Sequence, residues 1–137
     1  YDNDSFSTIE FVQLGLGAKQ RYYPLEKVVI NFSENGTYQI KSDLLFEPPV
    51  HDKNELKKIY ENNNALVAKA KKNIELTIAE VKQLRYLADS YLICFLNGFE
   101  EAKERMEKAR QILKPKYPKV NASLKEALRV LRKVKYS

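Results

Sequence analysis

This sequence of 137 residues contains few of the side chains that most often carry chemistry. It has one cysteine, one histidine and no tryptophan. A single cysteine cannot form a disulfide within the chain, which favours a reducing compartment. One Cys and one His are too few for a structural zinc site, and the chain has no Glu-x-x-His pair for a di-iron bundle. We therefore predict a protein that is not an enzyme, with no catalytic, cofactor or metal site.

Long apolar runs are also missing, since no stretch approaches the roughly 18 residues of a membrane span. This predicts no transmembrane segment in the chain. With 44% apolar and 31% charged residues, the composition is that of an ordinary soluble protein. The length indicates a single domain, 1–137.

The expected location is the cytoplasm, and the alternative is an exported glycoprotein. Two observations support the alternative: the chain begins at Tyr1 rather than Met, and it contains four Asn-x-Ser/Thr triplets. The triplets begin at Asn3, Asn31, Asn35 and Asn121.

His51 and Cys94 are the side chains from which an enzymatic nucleophile pair would have to be built. Cys94 lies in the apolar segment Tyr-Leu-Ile-Cys-Phe, which predicts an inert core cysteine. His51 follows Pro-Pro-Val and is predicted to be an exposed residue at a helix entrance. The glycines of Gly15-Leu16-Gly17 lack the remaining residues of a dinucleotide or P-loop fingerprint, so we interpret them as a turn or a bulge.

The N-terminal third has the composition of β-strands. Residues 6–16 are rich in β-branched and aromatic side chains. Two further segments have the alternation of strands: Val28, Ile30 and Phe32 with Val29 and Asn31, and Tyr38, Ile40, Leu44 and Phe46 with Gln39, Lys41 and Asp43. Asn35-Gly36 tolerates the positive φ angles of a tight hairpin turn and predicts a hairpin between the last two strands. We interpret residues 19–24 as a basic, aromatic turn.

Residues 52–98 carry the organising pattern of the chain, an apolar seam with heptad spacing. Asp52 is a predicted N-cap, and Asn97-Gly98 is a predicted helix end. The pattern fits either one long helix or two stacked helices, because Thr77 and Glu80 form a capping box that could begin a second helix. The seam consists of Tyr60, Val67, Ile74, Val81, Ala88 and Phe95.

A return helix of 16 residues is predicted to follow Gly98 and to end before Pro115. Asn121 or Ser123 is predicted to cap a last helix. The predicted fold class is α+β: a three-stranded antiparallel β-meander (1–49) packed on an α-helical hairpin or bundle (52–113), with a basic C-terminal helix (119–137).

The net charge of +6 is concentrated at the C-terminus, since Glu126 is the only acidic residue after position 113. The cations of residues 114–137 could neutralise phosphates of DNA or RNA, and their alternative is a solvated helix surface. The candidate contacts are Lys125, Arg129, Arg132 and Lys133.

A second group of aromatic and basic residues in the predicted sheet could stack on unpaired bases, although such tyrosines usually pack within a sheet. The group consists of Lys19, Arg21, Tyr22, Tyr23, Lys27, Tyr38 and Lys41.

The leading functional hypothesis is a non-enzymatic interaction or scaffold subunit of a macromolecular assembly. The long seam exceeds what the return helix can cover, which leaves Tyr60, Val67 and Ile74 in need of a partner. That partner would be a second copy of the chain, forming a homodimer, or another protein. The alternatives are nucleic-acid binding through residues 114–137 and an exported glycoprotein domain.

Overall fold

A computed structural model describes residues 5–17 and 19–136, with side chains described as far as Val134. Strands β1 (Ser5–Leu16), β2 (Lys19–Phe32) and β3 (Tyr38–Leu44) form an antiparallel sheet in the order β1-β2-β3. Within the described residues, five helices follow the sheet. This arrangement confirms the predicted α+β class and the three-stranded meander.

The hairpin between β2 and β3 turns at Asn35-Gly36, as the sequence predicts. Gly36 has a φ of +84°, an angle that glycine adopts without steric cost. Asn35 Oδ1 accepts hydrogen bonds from the backbone N–H of Thr37 at 3.3 Å and from its hydroxyl at 2.8 Å. Local hydrogen bonding of this kind is the reason why Asn favours turns.

The predicted turn at residues 19–24 is wrong, because these residues form the first half of β2. Proline usually interrupts a strand, but Pro24 lies where the register between β1 and β2 shifts. The shift leaves Leu25 as an extra residue in β2, and such a bulge tolerates a residue that cannot donate a ladder hydrogen bond.

Residues 52–98 form three helices, so the prediction of one long helix is wrong. The alternative of two stacked helices is also wrong, because it includes the break before Thr77 but not the one between α2 and α3. Helix α1 (Lys53–Lys71) begins at the predicted cap, where Asp52 accepts a hydrogen bond from Asn54 N–H. Helices α2 (Ile78–Leu84) and α3 (Leu87–Leu96) follow.

Identifiable end signals account for the breaks. Asn73 adopts a positive φ of 57°, and two backbone hydrogen bonds around it close α1 in a Schellman motif. Thr77 and Glu80 form the predicted capping box at the start of α2. Gly98 has a φ of +105° and ends α3 where the sequence predicts.

Helix α4 (Ala102–Leu113) returns along α1 and α3, and α5 (Pro118–Tyr136) packs on α3 and α4. The predicted caps of the last helix are wrong, since α5 begins at Pro118, whose fixed φ suits the first helical position. Asn121 lies inside α5, where its Oδ1 accepts a hydrogen bond from Arg110 Nε at 3.0 Å.

Helix α3 is the centre of the molecule, because it contacts the four other helices and β1. Most of its side chains are buried on all sides, including Tyr91 and Leu92. Leu14 of β1 and Leu25 of β2 join the same hydrophobic cluster. One end of the sheet therefore belongs to the core, and the site described next lies at the other end.

Candidate protein-binding surface

The sheet extends beyond the helices at the end that carries the Asn35-Gly36 turn. We call this part, residues 5–9 and 28–42, the arm. The register pairs Phe6 with Ile30 and Ile30 with Ile40. Because paired residues point to the same side of a sheet, these side chains share one face, which we call the inner face. Alternation along β1 places the buried Leu14 on that face too, so the inner face is the one that packs on helices further along.

The inner face of the arm is apolar and largely exposed. Phe32 lies in the middle of an aromatic row, with its ring 5.8 Å from Phe6 and 6.1 Å from Tyr38 between centroids. Exposure reaches 61% for Tyr38 and 58% for Ile40. Single exposed apolar residues are common, but a contiguous apolar patch is typical of a binding surface. The apolar inner-face residues are Phe6, Val28, Ile30, Phe32, Tyr38 and Ile40.

Strand β3 forms one edge of the arm, and all seven of its residues are exposed. In the described part of the chain no further strand pairs with this edge. The strand contains neither proline nor a register shift. A regular edge of this kind presents unpaired N–H and C=O groups to any chain that can align with it.

Two carboxylates mark the place where the helical cover of the inner face ends. Glu10 and Glu26 pair in the sheet, and α5 lies against both. Arg129 Nη2 is 2.5 Å from Glu10 Oε2 and 2.6 Å from Glu126 Oε1. Lys133 Nζ is 3.1 Å from carboxylate oxygens of both Glu10 and Glu26.

These ion pairs change the acidity of their members. The Arg129 guanidinium, followed by the Lys133 ammonium, holds the pKa of Glu10 below its usual range. Hydrogen bonds to Glu126 and Glu10 raise the pKa of Arg129, and hydrogen bonds to Glu26 and Glu10 raise that of Lys133. The pairs therefore hold α5 against the sheet at the base of the arm.

The four predicted phosphate contacts do not act alike in the structure. Lys125 and Arg132 are exposed on α5, whereas Arg129 and Lys133 are half-buried and bound to carboxylates. A cation that carboxylates already neutralise adds less to phosphate binding. Nucleic-acid binding by residues 114–137 stays a prediction, and two of its four named contacts have another role.

The predicted partner seam is not one continuous surface. Tyr60 packs against the rings of Tyr91 and Phe99, with centroids 5.9 and 5.3 Å away, and Val67 is buried. Ile74 is 47% exposed in the loop after α1. A partner at the seam stays a prediction, but two of its three residues are covered within the chain.

The aromatic and basic residues of the sheet are spread over both faces. Tyr23 packs edge-on against Phe46 at 6.0 Å in the interior, while Tyr22 on the opposite face is 70% exposed. Lys27 and Lys41 also lie on the opposite face. The predicted group is therefore not assembled into one base-stacking platform.

Lys19 and Arg21 line a cleft of about 640 Å³ between the sheet and the start of α1. His51 and Glu55 line the same cleft. The backbone N–H of His51 donates to Asn97 Oδ1 at 3.2 Å, which ties the sheet-to-helix connection to the end of α3. The Glu55 carboxylate partly offsets the positive charge of the cleft.

Burial changes the acidity of Cys94 and of the partly buried Asp89. Cys94 has no exposed surface, and burial raises the pKa of its thiol to about 11, so the thiol is protonated at neutral pH. Burial also raises the pKa of Asp89 to about 6, although Gln20 and the Gly15 N–H donate to its carboxylate. Asp89 was not recognised from the sequence, because its hydrogen-bond partners come from β1 and β2, far away along the chain.

Of the inner-face residues of the arm, only Tyr38 was a candidate from the sequence, as a member of the aromatic and basic group. The signal for the others was the alternation of Val28, Ile30 and Phe32 with Val29 and Asn31, which predicts one apolar face but not what covers it. Their exposure follows from where the helices end over the sheet.

The structure bears on location only in part. Asn31 and Asn35 are exposed and Asn121 is bound to Arg110, while Asn3 lies outside the described residues. None of the helices in residues 53–136 has the length and apolarity needed to cross a bilayer.

Within the described ranges, no cluster of three or more His, Cys, Asp and Glu side chains is arranged to hold a metal ion.

Comparisons with known proteins give one family relationship. Searches among curated proteins and among solved structures found no match to this chain. The family model described as "Domain of unknown function (DUF5929)" matches residues 1–137, and the chain therefore belongs to that family.

Proposed function

We propose that this chain is a non-enzymatic subunit that binds another protein molecule through the inner face and the β3 edge of the arm. The observation that carries the proposal is the contiguous row of exposed apolar side chains from Phe6 to Phe32 and Tyr38. An aromatic-rich patch next to a regular strand edge offers both apolar area and backbone hydrogen bonds to a partner.

Two further observations support the arm over the helical seam. The arm places several large apolar side chains side by side, whereas Ile74 is the exposed member of the three seam candidates. The Glu10 and Glu26 ion pairs also attach α5 to the base of the arm, beside this apolar patch.

Photo-crosslinking in the native cells tests this proposal. The photoreactive amino acid p-benzoylphenylalanine is placed at Ile40 in the arm, at Ile74 in the seam, or at the exposed Glu107 of α4 as the control. We expect a specific protein adduct from position 40 and none from position 107. Adducts from position 74 without adducts from position 40 would contradict the arm and favour the seam.

Nucleic-acid binding remains the second candidate because Lys125 and Arg132 are exposed on one side of α5. Deleting residues 114–137 is not a clean test, since Leu124, Leu128 and Leu131 of α5 belong to the core. The better test is fluorescence anisotropy of labelled RNA and DNA with the Lys125→Glu/Arg132→Glu variant at two salt concentrations. Salt-sensitive binding that this variant loses would support the candidate.

A further inference from the structure

We propose that the protein partner of the arm is a second copy of this chain, bound antiparallel along the β3 edge with Ser42 opposite Ser42. The two three-stranded sheets would then form one continuous sheet with a shared inner face. This inference rests on the proposed function and names the partner at the same surface.

The hydrogen-bond pattern of β3 fixes which of its residues can pair outward. Leu45 N–H donates to Leu25 C=O at 2.9 Å, and Ser33 N–H donates to Thr37 C=O at 2.9 Å. Odd-numbered residues on both sides of β3 therefore direct their backbone groups towards β2. Because this direction alternates in an antiparallel ladder, the even-numbered residues direct theirs to the free edge. The even-numbered residues are Tyr38, Ile40, Ser42 and Leu44.

Pairing between two copies must match outward residues with outward residues. A symmetric pair centred on Ser42 meets this condition, since Ser42 opposes its own copy and Ile40 opposes Leu44 of the other copy. Pairs centred on Gln39, Ile40, Lys41 or Asp43 also meet it. The backbone alone thus leaves five alternatives, and the side chains must distinguish them.

Charge selects the register centred on Ser42. This register places Lys41 opposite Asp43 of the other copy, and symmetry repeats the pair. Centring on Lys41 or on Asp43 would instead oppose two like charges. Centring on Ile40 would place Lys41 opposite Gln39, and centring on Gln39 would place it opposite Thr37, so neither register forms a charge pair.

The same register also matches the apolar side chains. Ile40 and Leu44 are 58% and 39% exposed in the single chain, and both lie on the inner face. Their contact across the edge would cover both, while the charge pairs lie on the opposite face. A contact made by one short strand per copy is small, so we expect a dissociation constant in the micromolar range or weaker.

Sedimentation equilibrium of the full chain measures this association. Protein concentrations from about 1 to 500 μM cover the dissociation constants expected of a weak dimer. We expect the monomer-to-dimer transition to lie inside this range. Lys41→Asp should weaken it about tenfold or more, since like charges then face each other twice. Asp43→Lys should weaken it to a similar extent.

The charge-swapped double variant Lys41→Asp/Asp43→Lys is the matched control, because it combines the two single substitutions. It restores opposite charges in the Ser42 register, so we expect dimerisation to return. A monomer at the highest concentration, or a double variant as weak as the single variants, would overturn the inference.

A pair of proline substitutions separates the β3 edge from the other edge of the sheet. Ser42→Pro removes an N–H that points outward, so the ladder to β2 stays complete. Ser7→Pro does the same on β1, where the ladder alternation also directs the Ser7 N–H outward. We expect Ser42→Pro to abolish dimerisation and Ser7→Pro to leave it unchanged, with circular dichroism confirming that both variants fold. Equal losses would overturn the inference.

The two proposals fail in different ways. A chain that stays monomeric but still gives a protein adduct from position 40 would remove the second copy as partner and leave the proposed function standing. The absence of both the dimer and the adduct would remove both proposals.

Discussion

The two ends of the sheet are made of similar residues and have different environments. At the end that carries the connection between β1 and β2, which we call the loop end, Leu14 and Leu25 are buried against the helices. Only 1% and 0% of their surfaces are exposed. At the arm end, Phe6 and Ile40 on the same face are more than half exposed. The difference is the reach of the helices, because α3 contacts β1 and α5 meets the sheet at Glu10 and Glu26. An apolar strand face is therefore a core or a surface according to what lies above it.

The largest expected effect compares two apolar residues of the same strand. Leu14→Ala should lower the free energy of unfolding by about 2–5 kcal/mol, because it leaves a cavity in the core. Ile9→Ala should lower it by about 1 kcal/mol or less, since Ile9 is 44% exposed on the arm. Chemical denaturation below the dimer range measures both. Equal losses would show that the arm is as well packed as the loop end.

A second comparison uses two asparagines, Asn97 at the end of the core helix α3 and Asn35 in the exposed turn of the arm. Asn97 Nδ2 donates to the carbonyls of Pro49 at 3.0 Å and Ile93 at 2.9 Å, while its Oδ1 accepts from His51 N–H. Asn97→Ala should lower the free energy of unfolding by about 1–3 kcal/mol, because these half-buried groups lose their partner. Asn35→Ala in the exposed turn serves as the control and should have a smaller effect in the same denaturation assay. The reverse order would contradict the comparison.

The third prediction concerns pH at the buried end. The Asp89 pKa of about 6 lies above its unfolded value of 3.8, so the folded state binds the proton more tightly. Stability should therefore rise as pH falls from about 7 to 5, by at most about 1 kcal/mol once partial exposure is allowed for. Urea denaturation at several pH values measures the rise. Asp89→Asn should remove it, and an unchanged pH dependence in that variant would refute the assignment.

The smallest effect is expected at the boundary between the two regions. Glu10 has a lowered pKa, so its ion pairs stabilise the fold above about pH 4.5 and lose that contribution as pH falls through the folded pKa. Glu10→Gln should lower stability at pH 7 by at most about 1 kcal/mol, because the pairs are partly exposed.

Salt is the check on this prediction. The loss caused by Glu10→Gln should shrink in high salt, which screens exposed ion pairs. Glu104→Gln, which removes an exposed pair with Lys108 on α4, is the control and should change stability less. A loss that salt does not alter would indicate that Glu10 acts through packing rather than charge.

Four local signals in the sequence predicted local structure correctly, whereas the predicted turn at residues 19–24 and the predicted caps at Asn121 or Ser123 were wrong. The Asn35-Gly36 turn, the Asp52 cap, the Thr77–Glu80 capping box and the Gly98 helix end all lie where their residues indicate. Each depends on hydrogen bonds or backbone angles within a few residues, so the sequence window contains the whole cause.

The errors share a different origin. The heptad spacing of residues 52–98 persists across two breaks, because Tyr60 and Ala88 face the same core from separate helices. Periodicity records which residues face a core, not whether one helix carries them. The exposed inner face of the arm was missed for a related reason: which strand residues are covered depends on where the helices pack on the sheet. The same packing brings Arg129 and Lys133 to the carboxylates of Glu10 and Glu26, which are more than 100 residues away in the sequence.

The bulge at Leu25 changes which residues of β2 lie on each face of the sheet. Along β1, even-numbered residues lie on the inner face from end to end, as Phe6 and Leu14 show. Along β2 the rule changes at the bulge: odd-numbered residues such as Tyr23 lie on the inner face before it, and even-numbered residues such as Ile30 lie there after it. A single alternation carried through β2 would therefore assign half of the strand to the wrong face. The one extra residue keeps the apolar residues of both halves of β2 on the face that is core at one end of the sheet and exposed at the other.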